Sequence, residues 1–270
     1  MSGDRPFFSV IIPTLNEERY LPKLLKCLEG QLDRSFEVVV VDGKSEDKTV
    51  EKAQGLEVII SEKRNVSWQR NLGAKRARGK YLVFLDADVE VPANYLSEIH
   101  HYLLVNKDCR VMTTWMRPDS NNDSDKAMVL LMNLIVEVAK MAEKPVVGGY
   151  NIVIRKSVFE NVGGFNPKIK IGEDYDLISR LAKVGETMQI LRRVRATLSL
   201  RRYRHEGTLT YLRQAAVGTL SFWLKGPITR ELFDYPMGGE IYRSRRKSGK
   251  GKLVASVKKY LTRLNGWLQI

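Results

Sequence analysis

The sequence YLVFLDAD, at residues 81–88, runs five apolar residues into two aspartates separated by one alanine. An uninterrupted apolar run of this kind is typical of a strand that is buried on both faces of a sheet. Alternate residues leaving a strand point the same way, so the carboxylates of Asp86 and Asp88 can face one divalent cation. Mg²⁺ and Mn²⁺ prefer such oxygen ligands. The alternative is a solvated loop, because an isolated Asp-x-Asp is common.

The chain on either side of this strand alternates between strand and helix patterns. Apolar periodicity predicts strands at 7–12, 36–42, 56–60 and 80–85 and helices at 18–28 and 68–78. Such a βαβ series predicts an α/β fold with a doubly wound, mostly parallel sheet flanked by helices, and ligands at the carboxyl ends of the strands. No Gly-x-Gly-x-x-Gly follows the first strand, so an ordinary dinucleotide site is not expected.

Composition indicates a cytoplasmic protein with a packed core. The 270 residues are 43% hydrophobic, which is ample for a core without disulfides, and the two cysteines show no metal-ligand spacing. The first residues lack the apolar segment of a secretory signal, and no stretch approaches the ~20 apolar residues that cross a bilayer. We therefore expect a cytosolic protein, with any membrane contact peripheral.

The net charge of +14 is concentrated near the C-terminus, where residues 243–263 hold nine Lys or Arg and no acid. Apolar residues recur there at helical spacing, from Leu253 to Leu268, which predicts an amphipathic basic helix. The helix either packs on the body of the protein or lets residues 243–268 bind an anionic membrane surface. Nucleic-acid binding is not expected, because the tail lacks interleaved aromatic residues.

Seven ordered blocks together resemble glycosyltransferase family 2, whose members have the GT-A fold. They are SVIIPTLNE at 9–17, VVVDGKSEDKT at 39–49, RNLG at 70–73, ARGKYLVFLDAD at 77–88, VGGYN at 147–151, GGFN at 163–166 and GEDYDLISR at 172–180. The resemblance covers about residues 7–210. It implies a catalytic domain at 1–240, with a nucleotide-sugar half at 1–106 and an acceptor half at 107–240, followed by the basic tail at 241–270.

The resemblance implies a donor site that binds a nucleoside-diphosphate sugar, most commonly a UDP-sugar. Its residues would be Pro13, Thr14, Glu17, Asp42, Arg70, Asp86, Ala87 and Asp88. Asp42 would accept a hydrogen bond from the base, or alternatively cap the turn that follows it. Arg70 would approach the diphosphate, or alternatively be one of several surface arginines on its helix.

The resemblance also implies a catalytic base and a metal. Asp174 would take the proton of the acceptor hydroxyl during an inverting displacement, with Gly149, Tyr150 and Glu173 at the acceptor site. The alternative for Glu173 and Asp174 is to cap the N-terminus of the following helix. Asp88 would hold Mg²⁺ or Mn²⁺ with His205, which follows a strand predicted at 196–203; otherwise His205 is structural or exposed.

The acceptor is expected to be a glycan or a lipid-linked molecule at the cytosolic membrane face. A second apolar segment, predicted as a helix at 127–142, either packs in the core or forms a wall beside such an acceptor. One alternative is a polyprenyl-phosphate sugar synthase, which needs no Glu-Asp base because its phosphate acceptor is already anionic. Another is a protein that binds nucleotides or nucleic acid without catalysis, which would not require Asp86, Asp88 and Asp174 together.

Overall fold

A computed structural model of the chain describes residues 5–144 and 146–207, together with residues 210, 213, 214, 217–219, 221, 222, 226–229, 238 and 239. The predicted basic tail at 241–270 lies outside the described residues. The elements are β1 Phe8–Thr14, α1 Leu21–Glu29, β2 Phe36–Asp42, α2 Thr49–Lys52, β3 Glu57–Ile60, α3 Val66–Arg76, β4 Tyr81–Leu85, α4 Tyr95–Val105, β5 Val111–Pro118, α5 Asp123–Met141, β6 Asn151–Arg155, α6 Lys156–Asn161, α7 Glu173–Lys183, β7 Met188–Leu198 and α8 Arg201–Glu206.

Seven strands form one sheet in the order β3-β2-β1-β4-β6-β5-β7. Neighbouring strands are parallel, except that β6 runs antiparallel to both β4 and β5. The prediction of a doubly wound, mostly parallel α/β sheet is confirmed.

The central strands are apolar throughout because both faces of the sheet are covered. On β4, Val83 and Leu85 belong to one buried cluster, whereas Leu82 and Phe84 belong to another on the opposite face. The alternation of side chains across a strand therefore sends every residue of the run into a core. Helix α3 packs on β1 and β2 especially closely: a Cβ at Gly73 would lie 2.4 Å from Cγ2 of Ile11.

The sheet brings distant segments to one edge. The last residues of β1 and β2, Thr14 and Asp42, are register partners. Because β6 runs antiparallel to β4, Asn151 at its start pairs with Leu85 at the end of β4. The residues that precede β6 therefore lie beside those that follow β4.

The largest departure from the predicted elements is near residue 200. The sequence predicts a strand at 196–203, but β7 spans Met188–Leu198 and the short helix α8 follows. β7 is an edge strand that exposes Arg192, Arg193 and Arg195, so it carries too few apolar residues to be recognised at its true start.

Helix α1 begins three residues after the predicted 18. Two other helices begin earlier than predicted, because capping asparagines precede the apolar pattern. Helix α3 begins two residues before the predicted 68, and Asn65 accepts a hydrogen bond from the Trp68 N–H. Helix α5 begins four residues before the predicted 127, after the cap Asn122. In the part of the chain that the structure describes, no helix is long and apolar enough to span a bilayer.

Candidate active site

A cavity of about 270 Å³ opens where β1 and β4 end. Seven of the residues predicted for donor or acceptor binding line it: Pro13, Thr14, Glu17, Asp86, Ala87, Asp88 and Tyr150. Residues 198–203, from the end of β7 to the first turn of α8, also line it and are not among the predicted site residues. The hydroxyl of Ser199 in this segment is buried and has no hydrogen-bond partner among the described residues.

Arg70 connects the donor side of this edge to the acceptor side. Its side chain is only 2% exposed, so the alternative of a surface arginine does not hold. Nη2 donates to Oδ1 of Asp86 at 2.8 Å, and Nη1 donates to Oε1 of Glu173 at 2.9 Å. Burial disfavours the charge of Arg70, but the two acids outweigh it and raise the pKa. The guanidinium is thus a permanent positive charge shared by two carboxylates.

Asp174 lies beside this ion-pair network in the first turn of α7. Its carboxylate accepts hydrogen bonds from the backbone N–H of Gly149 at 2.7 Å and of Tyr175 at 2.9 Å. Burial and, to a smaller extent, adjacent Glu173 raise the pKa of Asp174 to about 7, against the opposing effect of Arg70 and the two N–H donors. The hydrogen bond from the Tyr175 N–H satisfies a backbone donor in the first turn of α7, as the capping alternative expects. This contact is compatible with a role as a base, which stays a prediction.

The lack of a side chain at Gly149 is required by this arrangement. A Cβ at residue 149 would lie 2.6 Å from Nη1 of Arg70. Because Arg70 is held by two acids, its guanidinium has little room to move aside. Gly149 therefore lets one backbone N–H reach Asp174 while the backbone passes against Arg70.

Asp88 is paired with Arg201, which is not among the predicted site residues. Nε of Arg201 lies 3.0 Å from Oδ2 of Asp88, and the Nη atoms donate to both carboxylate oxygens of Glu17 at 2.7 and 2.9 Å. Burial raises the pKa of Asp88 to about 6 and that of Glu17 to about 7, against the opposing effect of Arg201. The only sequence signal for Arg201 was its place in an arginine-rich run, which does not distinguish a buried arginine from exposed ones.

Asp42 lies behind the cavity rather than in its wall. It is 1% exposed and accepts hydrogen bonds from the Thr14 hydroxyl and from the N–H and hydroxyl of Ser45. These are the contacts of the turn-capping alternative, and its contact with a nucleotide base stays a prediction. Gln69, also missed, donates to the backbone oxygens of Thr14 and Val41 and so fixes the ends of β1 and β2.

The structure does not place His205 in the lining of the cavity. It lies on α8. The described residues contain no group of three His, Cys, Asp or Glu side chains placed to hold a metal ion. The role of His205 as a ligand stays a prediction; the α8 side chain that reaches Asp88 is Arg201.

Comparison with known proteins identifies the family. The sequence model of Glycosyl transferase family 2 matches residues 9–163, more than half of the chain. The chain belongs to this family. The match includes the Asp-x-Asp segment and ends before Asp174 and Arg201.

Relatives of this family 2 chain are found among sequences and solved structures. An uncharacterized glycosyltransferase of Haemophilus influenzae is 27% identical over 194 residues, covering 64% of this chain and 61% of the relative. TarS of S. aureus in complex with UDP-GlcNAc superposes with a TM-score of 0.58 at 25% identity, covering 71% of this chain and 58% of TarS.

A third similar protein shows the same fold at lower identity. The mannosyltransferase PcManGT of Pyrobaculum calidifontis, in complex with GDP-Man and Mn²⁺, superposes with a TM-score of 0.62 at 21% identity, covering 78% of this chain and 64% of PcManGT. The matched part of this chain thus spans less than two thirds of the length of each of these three proteins.

Proposed function

We propose that the chain transfers a sugar from a nucleoside-diphosphate sugar, with UDP favoured, to a hydroxyl of a glycan or lipid-linked acceptor, with inversion at the anomeric carbon. The observation that carries this proposal is the continuous set of contacts from the cavity acid Asp86 through Arg70 to Glu173, next to Asp174. The proposed donor pocket would then lie beside the proposed base. The complexes of TarS with UDP-GlcNAc and of PcManGT with GDP-Man support the donor class.

In the proposed reaction Asp174 takes the proton of the acceptor hydroxyl while the oxygen attacks the anomeric carbon. The bond from that carbon to the diphosphate oxygen breaks, and the nucleoside diphosphate leaves with both electrons. A carboxylate of raised pKa suits this task, because its affinity for the proton is closer to that of the acceptor oxygen. A phosphate acceptor would not need a base, so the position of Asp174 favours a hydroxyl over the polyprenyl-phosphate alternative.

The carboxylates of the proposed metal site suit Mg²⁺ or Mn²⁺ as ligands. Asp86 and Asp88 supply two carboxylates at the cavity wall, and Mg²⁺ in proteins is commonly bound by one or two carboxylates together with substrate phosphates. Each of these acids shares its arginine with a second acid, so the pocket is short of positive charge for a diphosphate. A bound divalent cation would supply that charge and stabilise the leaving group.

The proposal places the chain at the cytosolic face of a membrane. It draws on the basic residues of 243–268, which lie outside the described residues, and on the apolar helix α5. Positive segments of this length are attracted to anionic lipid headgroups.

Thermal stabilisation by nucleotides tests the donor site. We expect UDP or a UDP-sugar with Mn²⁺ to raise the melting temperature of the wild type and to lose this effect in Asp88→Asn, since a ligand stabilises the folded state according to its affinity. Asp119→Asn is the matched control, because Asp119 pairs with Arg204 of α8 and does not line the cavity. Stabilisation by no nucleotide, in the presence or absence of metal, would refute the proposed donor class.

A further inference from the structure

Arg201 is held in the cavity wall by contacts with several other side chains. Its three nitrogens contact Asp88 and both oxygens of Glu17, and its guanidinium lies 4.3 Å from the ring centroid of Tyr20. The side chain is 14% exposed. These contacts cross between the first loop, the Asp-x-Asp loop and α8, three segments that are far apart in sequence.

The position of Arg201 conflicts with a cation at Asp88. Nε lies 3.0 Å from Oδ2 of Asp88, on a carboxylate that faces the cavity. A divalent cation bound to the same carboxylate would lie close to the guanidinium and would be repelled by it. Arg201 therefore weakens the binding of a cation to Asp88.

Arg201 also has a second acceptable partner within the cavity. A planar guanidinium matches the oxygens of a diphosphate as well as those of a carboxylate. Arg201 lines the same cavity as Asp86 and Asp88, so phosphates bound in the cavity would lie within its reach. Arg201 is the first residue of α8, and a change of its side-chain rotamer would not require the sheet to move.

We propose that Arg201 is the counter-ion of Asp88 in the nucleotide-free protein and transfers to the diphosphate when a divalent cation binds Asp88. This inference rests on the proposed function. In this role Arg201 weakens the binding of a cation in the absence of nucleotide. It favours binding of the cation and the nucleotide together.

Two titrations of Arg201→Gln test the exchange. Free Mn²⁺ measured by electron paramagnetic resonance gives its affinity without nucleotide, and calorimetry gives the affinity for UDP and GDP at saturating Mn²⁺. We expect Mn²⁺ alone to bind about tenfold more tightly to the variant, and the nucleotide to bind about tenfold more weakly, as befits the loss of one charge-assisted hydrogen-bonding group.

The opposite signs of these two changes distinguish exchange from a structural role. If Arg201 only supported the fold, its loss would weaken both ligands, and that result or an unchanged affinity for Mn²⁺ would overturn the inference. Arg204→Gln is the matched control: it removes an arginine from the same helix that also bridges two acids, Asp119 and Asp125, away from the cavity. Both affinities should stay at their wild-type values in this control.

A second variant is needed if Arg201→Gln does not fold. Misfolding would be expected if Glu17 were left buried without its partner. Arg201→Gln combined with Glu17→Gln removes that unpaired charge and leaves Asp88 accessible, and the same opposite changes are expected. If wild type binds no nucleotide at any Mn²⁺ concentration, the proposed function fails together with the inference. If wild type binds nucleotide but the variants do not show opposite changes, only the inference fails.

Discussion

At the scale of a single residue, the surroundings of Asp174 have opposing effects on the pKa of its carboxyl group. Burial and Glu173 favour its neutral form, whereas Arg70 and the N–H groups of Gly149 and Tyr175 favour the carboxylate. Since the pKa settles at about 7, Asp174 can both lose its proton at neutral pH and accept one from a hydroxyl.

Asp174→Asn should abolish sugar transfer while leaving donor binding intact. An amide cannot accept the hydroxyl proton, and loss of a general base typically lowers rates 10²–10⁴-fold. Initial rates of transfer, or of sugar-nucleotide hydrolysis, would measure the loss. Calorimetry with UDP serves as the control, and a variant that retained more than a tenth of the wild-type rate would show that another group is the base.

The pH dependence of the rate follows from the same carboxyl group. The base works only when deprotonated, and burial raises the pKa of Asp174 to about 7. We therefore expect kcat/KM to fall about tenfold for each pH unit below 7 and to level off above it. Melting temperatures recorded over the same range separate this titration from acid unfolding; a rate that stays constant from pH 8 to pH 5 would contradict it.

At the scale of elements, helix α3 positions the donor side through its start. Asn65 caps the helix by accepting from the Trp68 N–H at 2.8 Å and also donates to the backbone oxygen of Pro167 at 3.2 Å. Gln69 and Arg70 follow in the next turn and make the contacts that order the ends of β1, β2 and β4. The cap therefore fixes the register from which both side chains project.

Asn65→Ala should destabilise the protein by about 1 kcal/mol, the usual cost of losing an N-terminal cap. Urea unfolding would measure the change. Asn94→Ala is the matched control, because Asn94 holds the same position before α4 without a side-chain capping bond. Equal destabilisation by both substitutions would show that the Asn65 cap contributes nothing specific.

At the scale of the whole molecule, the charge is divided between a mixed-sign body and a positive tail. The cavity acids are each matched to arginines, whereas the nine Lys and Arg of 243–263 have no acid among them in sequence. The tail should therefore dominate the attraction of the chain to anionic surfaces.

Binding to vesicles of phosphatidylglycerol should fall when tail charge is removed. Arg245→Gln, Arg246→Gln and Lys247→Gln together should weaken partitioning roughly 100-fold, at about 1 kcal/mol for each basic residue near the surface. Replacing exposed Lys23, Lys26 and Lys75 by Gln removes the same charge from the body and should have little effect. Co-sedimentation at low and high salt would measure both; equal losses would mean that net charge, rather than the tail, attracts the lipid.

The sequence by itself determined the sheet and seven of the residues that line the cavity. Strands buried on both faces need continuous apolar runs, and loops at their carboxyl ends must meet at one edge, so YLVFLDAD and its neighbours predicted both the fold and the clustering of Thr14, Asp86 and Asp88. The role of Asp174 as the base stays a prediction. The fold could be predicted because the periodicity of apolar residues is a local property of the sequence.

Only the tertiary structure decided how the charges are paired. Arg70 and Arg201 look like their exposed neighbours in sequence, yet each is buried between two carboxylates from distant segments. The strand predicted at 196–203 gives way to α8, whose first residue reaches Glu17 and Asp88. An ion pair depends on the positions of both partners in space, so no local pattern could assign Arg201 to Asp88 before the chain had folded.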